Sequence, residues 1–333
     1  MVSLFPWKRP ELAIDFGTAN LRLIRRDDGI VFEEPSLCCF AGHDATADLV
    51  AAGSAAEAMV DRTPGRLEVK RPLRWGVLQD IGTATRLLRY AVPRALGGGR
   101  VGGHQVVIGV PADATQAERG AMLTAARDAG LSSVNLVLEP LAAAVGADLP
   151  IGEPNGTMIV ECGAGTTEVA VLSLGGICVT RSVRVGGASL DHAIADHLHF
   201  RHKFLIGSIT AERIKQDYVA RRQVEPAGDG TIEVKGRSLA SRVPTSLHLP
   251  LAEIDRVVEK HVTRIVDVIR DVLNETPPEL SRDIHTHGIV LTGGSAVTPR
   301  LRARIEEETG LPVMLADEPS HCVAKGLHRM LLS

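Results

Sequence analysis

Met158-Ile-Val-Glu-Cys-Gly-Ala-Gly-Thr-Thr-Glu168, followed by Val169-Ala-Val-Leu-Ser-Leu174, is the stretch on which the fold turns. The apolar run from Met158 to Val160 reads as a buried strand ending in an acid, Glu161. Gly163, Ala164 and Gly165 make a tight turn, the hydroxyls of Thr166 and Thr167 follow, and a second apolar strand leads back. Small residues at such a tip let backbone N–H groups approach a ligand with no side chain in the way. Those groups suit phosphate oxygens, and an acid beside them suits a hydrated Mg2+. By itself the pattern fits an ordinary hairpin turn just as well.

Residues 12–24, Leu-Ala-Ile-Asp-Phe-Gly-Thr-Ala-Asn-Leu-Arg-Leu-Ile, repeat it. With Asp15 laid on Glu161, Gly17 meets Gly163, Ala19 meets Gly165, Asn20 meets Thr166 and Leu21 meets Thr167. Both copies continue through a Gly-bearing turn, Asp28-Gly29 and Gly175-Gly176, into a third apolar run. A unit repeated once, about 145 residues apart, predicts two related halves whose phosphate loops and acids face each other.

These segments resemble the bacterial actins of the MreB/Mbl cell-shape family. Ile14-Asp-Phe-Gly-Thr-Ala-Asn20 resembles the family's first phosphate motif, Val160–Val169 the second, and Leu291-Thr-Gly-Gly-Ser-Ala296 the adenosine motif. Arg62-Thr-Pro-Gly65, Arg71-Pro-Leu-Arg74, Glu139-Pro-Leu-Ala-Ala-Ala144, Ala211-Glu-Arg-Ile-Lys215 and Thr276-Pro-Pro-Glu279 resemble further family segments in the family's order. The resemblance runs from Leu12 to Leu327. It implies an α/β, actin-like ATPase fold, with two ribonuclease-H-like domains, each carrying an inserted subdomain, and nucleotide in the cleft between them. The implied division is 11–34, 77–150 and 316–333 for domain IA, 35–76 for IB, 151–187 and 251–315 for IIA, and 188–250 for IIB.

The resemblance also implies a site for ATP and Mg2+. Asp15, Gly17, Thr18, Ala19 and Asn20 would form one phosphate loop, and Gly163, Ala164, Gly165 and Thr166 the other. Glu212, Arg213, Ile214 and Lys215 would lie over the ribose and adenine, and Gly293, Gly294, Ser295 and Ala296 would meet the nucleoside. Asp15 and Glu161 would hold the metal through water. Glu139 would orient the attacking water in line with the γ-phosphate, with Thr166 or Thr167 holding the same water. On the residues alone, a carboxylate complementing a helix dipole is the simpler reading of Glu139.

The implied function is an ATP-dependent, polymerising filament at the inner face of the cell membrane that organises cell-wall synthesis and cell shape. A weak ATPase would serve as its timer. Its partners would be other copies of itself, in paired protofilaments, the membrane surface, and morphogenesis proteins of the MreC, MreD and RodZ kind. The alternatives are a magnetosome- or plasmid-aligning actin, or a hydrolysis-weak nucleotide-binding co-polymer of a second actin. A DnaK-type chaperone would carry a β-rich domain after the last helix, and a sugar kinase would need a catalytic base for its sugar; neither is found. The chain departs from the family pattern at Glu161, where the family has Asp, and at Ala164, Leu21 and Ser295, where it has Gly, Thr and Gly. Slow hydrolysis or altered metal handling is expected from these changes.

The composition agrees. At 333 residues the chain is long enough for two domains, and a net charge of −3 gives no basic footprint for nucleic acid. Five Cys without CxxC spacing read as a reducing cytosol, and the twelve His show no metal-site spacing. No apolar run reaches the ~18 residues a membrane span needs. The first ten residues pair Leu4, Phe5 and Trp7 with Lys8 and Arg9, which suits a membrane-surface anchor. The other apolar loop by which the family meets membrane falls near Ala91–His104, where the chain is Gly-rich.

Overall fold

The computed structural model describes residues 11–42, 47–99 and 102–333. The apolar runs become two five-stranded sheets built to one plan. The first has the order Ser133–Leu138, Gln105–Val110, Leu12–Phe16, Asn20–Arg25, Gly29–Pro35. The second has the order Val313–Leu315, Ile289–Thr292, Thr157–Cys162, Thr167–Ser173, Gly176–Val183. In each, three consecutive strands pair antiparallel, a later strand adds in parallel to the first of them, and another adds in parallel to that one. Even the irregularities match, with a register shift between the second and third strands at Leu23/Ile24 and at Val171/Leu172. Leu12–Phe16 and Thr157–Cys162 are buried along their whole length, as strands covered on both faces must be.

Two helices, Glu139–Gly146 and Cys322–Leu332, cross between the sheets. A Cβ on Gly146 would lie 1.8 Å from the Cys322 carbonyl oxygen, and one on Gly326 would lie 1.7 Å from the Ala142 oxygen. Glycine in both helices therefore lets the backbones touch. The apolar cluster around them takes Ala13 and Val107 from the first sheet and Ile159, Ala170 and Leu172 from the second. This pair ties the two halves together at the floor of the cleft.

Each half carries a smaller sheet near the mouth of the cleft. One is Asp48–Ala52, Cys38–Ala41, Leu67–Lys70; the other is Phe204–Leu205, Thr231–Ser238, Pro244–Pro250, packed with helices Gly187–His202 and Ser208–Val224. The long helix Leu251–Glu275 buries Ile254, Val258, Val262, Ile265, Val266 and Ile269 on one stripe, as its spacing predicts.

The helix that carries Glu212 and Lys215 starts at Ser208 and runs to Val224. Its cap comes from across the cleft: Asp61 Oδ2 accepts from the Ser208 N–H at 2.8 Å and from its hydroxyl at 3.0 Å. Gly228-Asp229-Gly230 is the passage from that helix into a strand. The Arg222 guanidinium holds the Gly228 carbonyl at 2.8 Å, and the hairpin tip lies between Ser238 and Pro244. Ala91–Ala95 is not loop but the end of helix Ile81–Ala95, and Leu96 packs against the first sheet's core. Thr115 caps helix Gln116–Asp128 in a reciprocal capping box with Glu118. The anchor candidates Leu4, Phe5, Trp7, Lys8 and Arg9, and Val101 of the Gly-rich loop, lie outside the described residues. Among the described residues no helix is long and apolar enough to cross a membrane.

Candidate functional site

The two strand–turn–strand units face each other across the cleft, closed by one hydrogen bond used twice. The Gly17 N–H donates to the Asn20 carbonyl at 3.0 Å, and the Gly163 N–H to the Thr166 carbonyl at 2.8 Å. Both tips are tight: a Cβ would come 3.0 Å from the Asn20 oxygen at Gly17 and 3.2 Å from the Thr166 oxygen at Gly163. Thr18, Ala19, Ala164 and Gly165 line the cleft, and among the described residues their N–H groups donate to no protein acceptor. Unspent backbone donors in a concave turn are what a phosphate needs.

Hairpin register sets the charge behind each loop. Asp15 stands opposite Arg22, and Glu161 stands opposite Glu168, so Arg22 and Glu168 occupy equivalent places in the two copies. Residues directly opposite in an antiparallel pair are side-chain neighbours. Arg22 Nη1 donates to Asp15 Oδ2 at 3.0 Å, and its Nε to Glu33 at 2.8 Å. The second copy has an acid where the first has this guanidinium. Burial, then Glu139 and Asp15, push the Glu161 carboxyl well above the ordinary glutamate range. Burial and Glu161 push Glu168 up to about 8, against the Ala112 N–H that its Oε1 accepts at 2.8 Å. Burial, Glu168 and Asp15 raise Glu139 in the same way. Burial also raises Asp15, although Arg22 works against it. Glu168 Oε2 is buried with no hydrogen-bond partner among the described residues. A cluster of carboxylates with so little compensating charge fits a divalent cation held through water, and Asp15 and Glu161 both line the cleft where it would sit.

The remaining candidates divide. Glu139 opens helix Glu139–Gly146, without a side-chain cap, and lines the cleft with Thr166. Thr167 does not: its side chain is fully buried and its hydroxyl donates to the Val185 carbonyl at 2.7 Å, so only Thr166 of the pair can reach a water in the cleft. Gly293, at φ 87, and Gly294 approach the second loop, and the Ser295 N–H and hydroxyl bond to the Cys162 and Gly163 carbonyls at 2.8 and 2.9 Å. Ala296 is buried in the second half's core. Glu212 and Lys215 line an adjoining pocket of the cleft with Thr18 and Ala164. Lys215 pairs with Asp191 at 2.8 Å rather than with Glu212. Arg213 is exposed and Ile214 is a core residue, so neither joins them.

Sequence reasoning missed Arg22 and Glu168, although counting register outward from the turns finds both. It also missed what closes the cleft. Gly165 packs across the cleft against Trp75 and Gly76, whose N–H is held within the first half by Thr18 Oγ1 at 3.1 Å, and the Trp75 ring lies 5.5 Å from that of His192. No local pattern announces these contacts.

Comparison with known proteins bears on the same residues. Residues 9–333 match the family described as MreB/Mbl protein. The cell shape-determining protein MreB of Escherichia coli strain K12 is 39% identical over 319 residues, covering 95% of this chain and 91% of its own. The cell shape-determining protein Mbl of Bacillus subtilis strain 168 is 35% identical over 322 residues, covering 96% and 95%. Among solved structures, MreB5 of Spiroplasma citri bound to ADP has a TM-score of 0.88 at 31% identity, covering 96% of this chain and 95% of that one. Its AMPPNP-bound form matches equally. A MamK double helical filament has a TM-score of 0.78 at 22% identity and shares the fold.

Proposed function

The chain belongs to the MreB/Mbl family and has its actin-like fold, and on that premise we propose that it is a cell shape-determining filament protein that binds ATP with Mg2+ between its two phosphate loops. The observation that carries this reading is the paired site: one hydrogen-bonded turn, built twice, with unspent N–H groups facing a carboxylate cluster. Nucleotide would touch both loops only in the closed form, so binding would favour that form. The division into domains IA, IB, IIA and IIB is part of the proposal, supported by the two large and two small sheets.

Mg2+ would supply positive charge to the acids and to the phosphates. Thr18, Ala19, Ala164 and Gly165 would give backbone N–H groups to phosphate oxygens. Asp15 and Glu161 would hold the hydrated cation, and Glu139 with Thr166 would orient a water. Because burial raises these carboxyls, cation binding would release protons. Glu161 is one methylene longer than the Asp of the family pattern, so its carboxylate would shift the hydrated cation and slow hydrolysis. Phosphate release that is already as fast as that of an ordinary family member, and unchanged by Glu161→Asp, would overturn that part.

Assembly into filaments at the inner face of the membrane, with the N-terminal residues as anchor and MreC-, MreD- and RodZ-like proteins as partners, completes the reading. Many weak anchors along one filament would add to firm attachment. The test is sedimentation with ATP and liposomes, comparing the full chain with one lacking residues 1–10. Both should pellet with ATP, and only the full chain should follow the liposomes. A chain that binds ATP yet never pellets overturns the filament reading and leaves a nucleotide-binding co-polymer.

A further inference from the structure

Away from the cleft, three metal-ligating side chains meet. His197 and His202 lie near the C-terminal end of helix Gly187–His202, and Glu253 lies in the first turn of Leu251–Glu275. His197 Nε2 is 2.7 Å and His202 Nε2 is 2.8 Å from the same oxygen, Oε2 of Glu253. The imidazole rings stand 5.7 Å apart at 64°, so they approach that oxygen from two sides instead of stacking. The three side chains are between 21% and 23% exposed, held in place yet open to a small ion. The helix carrying both histidines begins at Gly187, whose N–H docks on the Gly163 carbonyl, and at ~1.5 Å per residue it puts His197 about 15 Å from that end.

We propose that His197, His202 and Glu253 form a site for a divalent transition cation of the zinc class, with a fourth position open to water or an added donor. Two imidazole nitrogens and one carboxylate oxygen are a donor set for zinc and its neighbours, whereas magnesium and calcium take oxygen. The ion would replace the two hydrogen bonds that now converge on Oε2. Metal–ligand distances of about 2.0–2.1 Å in a tetrahedral site require the carboxylate to retreat by about 0.5 Å, within reach of a side-chain adjustment. The bound ion would strap the helix that docks on the phosphate loop to the long helix of the second half. The sequence hides this set because the histidines are five residues apart and the glutamate is in another element.

The test uses the full chain without an affinity tag, titrated with Zn2+ and with Co2+ in excess Mg2+ so that the cleft carboxylates are occupied. One equivalent should bind, Co2+ should show the intense visible bands of a low-coordinate site, and Zn2+ should raise the melting temperature. Loss of a partner beyond the ligands already costs about 10–100-fold in affinity, so His197→Gln and His202→Gln should each weaken binding by at least ~100-fold and abolish the melting shift. Glu253→Gln, which keeps shape, is the second variant, and unchanged far-ultraviolet circular dichroism shows that each variant is folded. Cys178→Ser, at the exposed thiol, should leave binding intact. Equal binding by the histidine variants, loss of binding in Cys178→Ser, or only the faint spectrum of hydrated Co2+ would overturn the assignment.

Discussion

Gly165→Ala should hold the cleft open without unfolding either half. A Cβ at 165 would lie 2.4 Å from the Gly76 nitrogen, 2.5 Å from Thr18 Oγ1 and 3.0 Å from the Trp75 carbonyl carbon. Two of these are backbone atoms across the cleft and cannot rotate aside. Gly165 is not in the left-handed region, so the effect is steric and not backbone strain. Ordinary contact begins at 3.4 Å, so the facing segments must part by about 1 Å. Overpacking of this kind costs about 1–3 kcal/mol. That cost shifts the closed–open balance by about 5–150-fold, and apparent nucleotide affinity falls in proportion to the closed fraction. Gly163→Ala is the control, because its nearest neighbours lie at 3.2 to 3.6 Å and it should lose less than about 5-fold. Titration with a fluorescent ATP analogue, run beside thermal melts, reads both quantities. Unchanged affinity in Gly165→Ala, or a loss as large in Gly163→Ala, would refute the closed-cleft reasoning.

Other outcomes follow from the same geometry. Glu168 keeps its proton up to about pH 8 when folded but only to about 4.5 unfolded, so its share of stability falls as pH rises between those values. Urea midpoints of the nucleotide-free protein should therefore drop from pH 5 to pH 8, and Glu168→Gln should flatten the slope; an unaltered slope would count against the buried acid pair. Gly326→Ala should cost about 3 kcal/mol or more, because its Cβ meets the Ala142 carbonyl at 1.7 Å, whereas Gly120→Ala, a helix position with nothing within 4 Å, should gain about 0.5–1 kcal/mol. Denaturant unfolding checks both signs. Asp61→Ala removes the cap that Ser208 receives across the cleft and should cost the closed form about 1 kcal/mol, seen as nucleotide release about 5-fold faster in stopped flow. Release at the parent rate would show that the contact does not latch the cleft. Arg22→Leu leaves Asp15 buried without its guanidinium and should destabilise by about 3–5 kcal/mol at neutral pH, with part regained in acid as Asp15 protonates. Equal destabilisation at both pH values in equilibrium unfolding would place the role of Arg22 in packing.

What the sequence determined by itself was the local architecture and its repetition. A strand ending in an acid, a turn of small residues and a returning strand are specified by residues within a few positions of one another, and periodicity and glycine report them directly. The pairings Asp15–Arg22 and Glu161–Glu168 belong to the same class, since hairpin register follows once the turn is placed. Thr166 and Thr167 mark the boundary. Neighbours in a strand face opposite ways, so one of them had to turn from the cleft, but which one depends on where the core lies. Tertiary structure alone decided the rest: the contact of Gly165 with Gly76, the cap that Asp61 gives Ser208, the crossing of Gly146 and Gly326, and the meeting of His197 and His202 with Glu253. These partners are tens to more than a hundred residues apart in the chain; the packing of two whole sheets on one pair of helices brings the first three sets together, and the packing of two helices on the second sheet brings the histidines to Glu253. No short-range preference encodes such a distance.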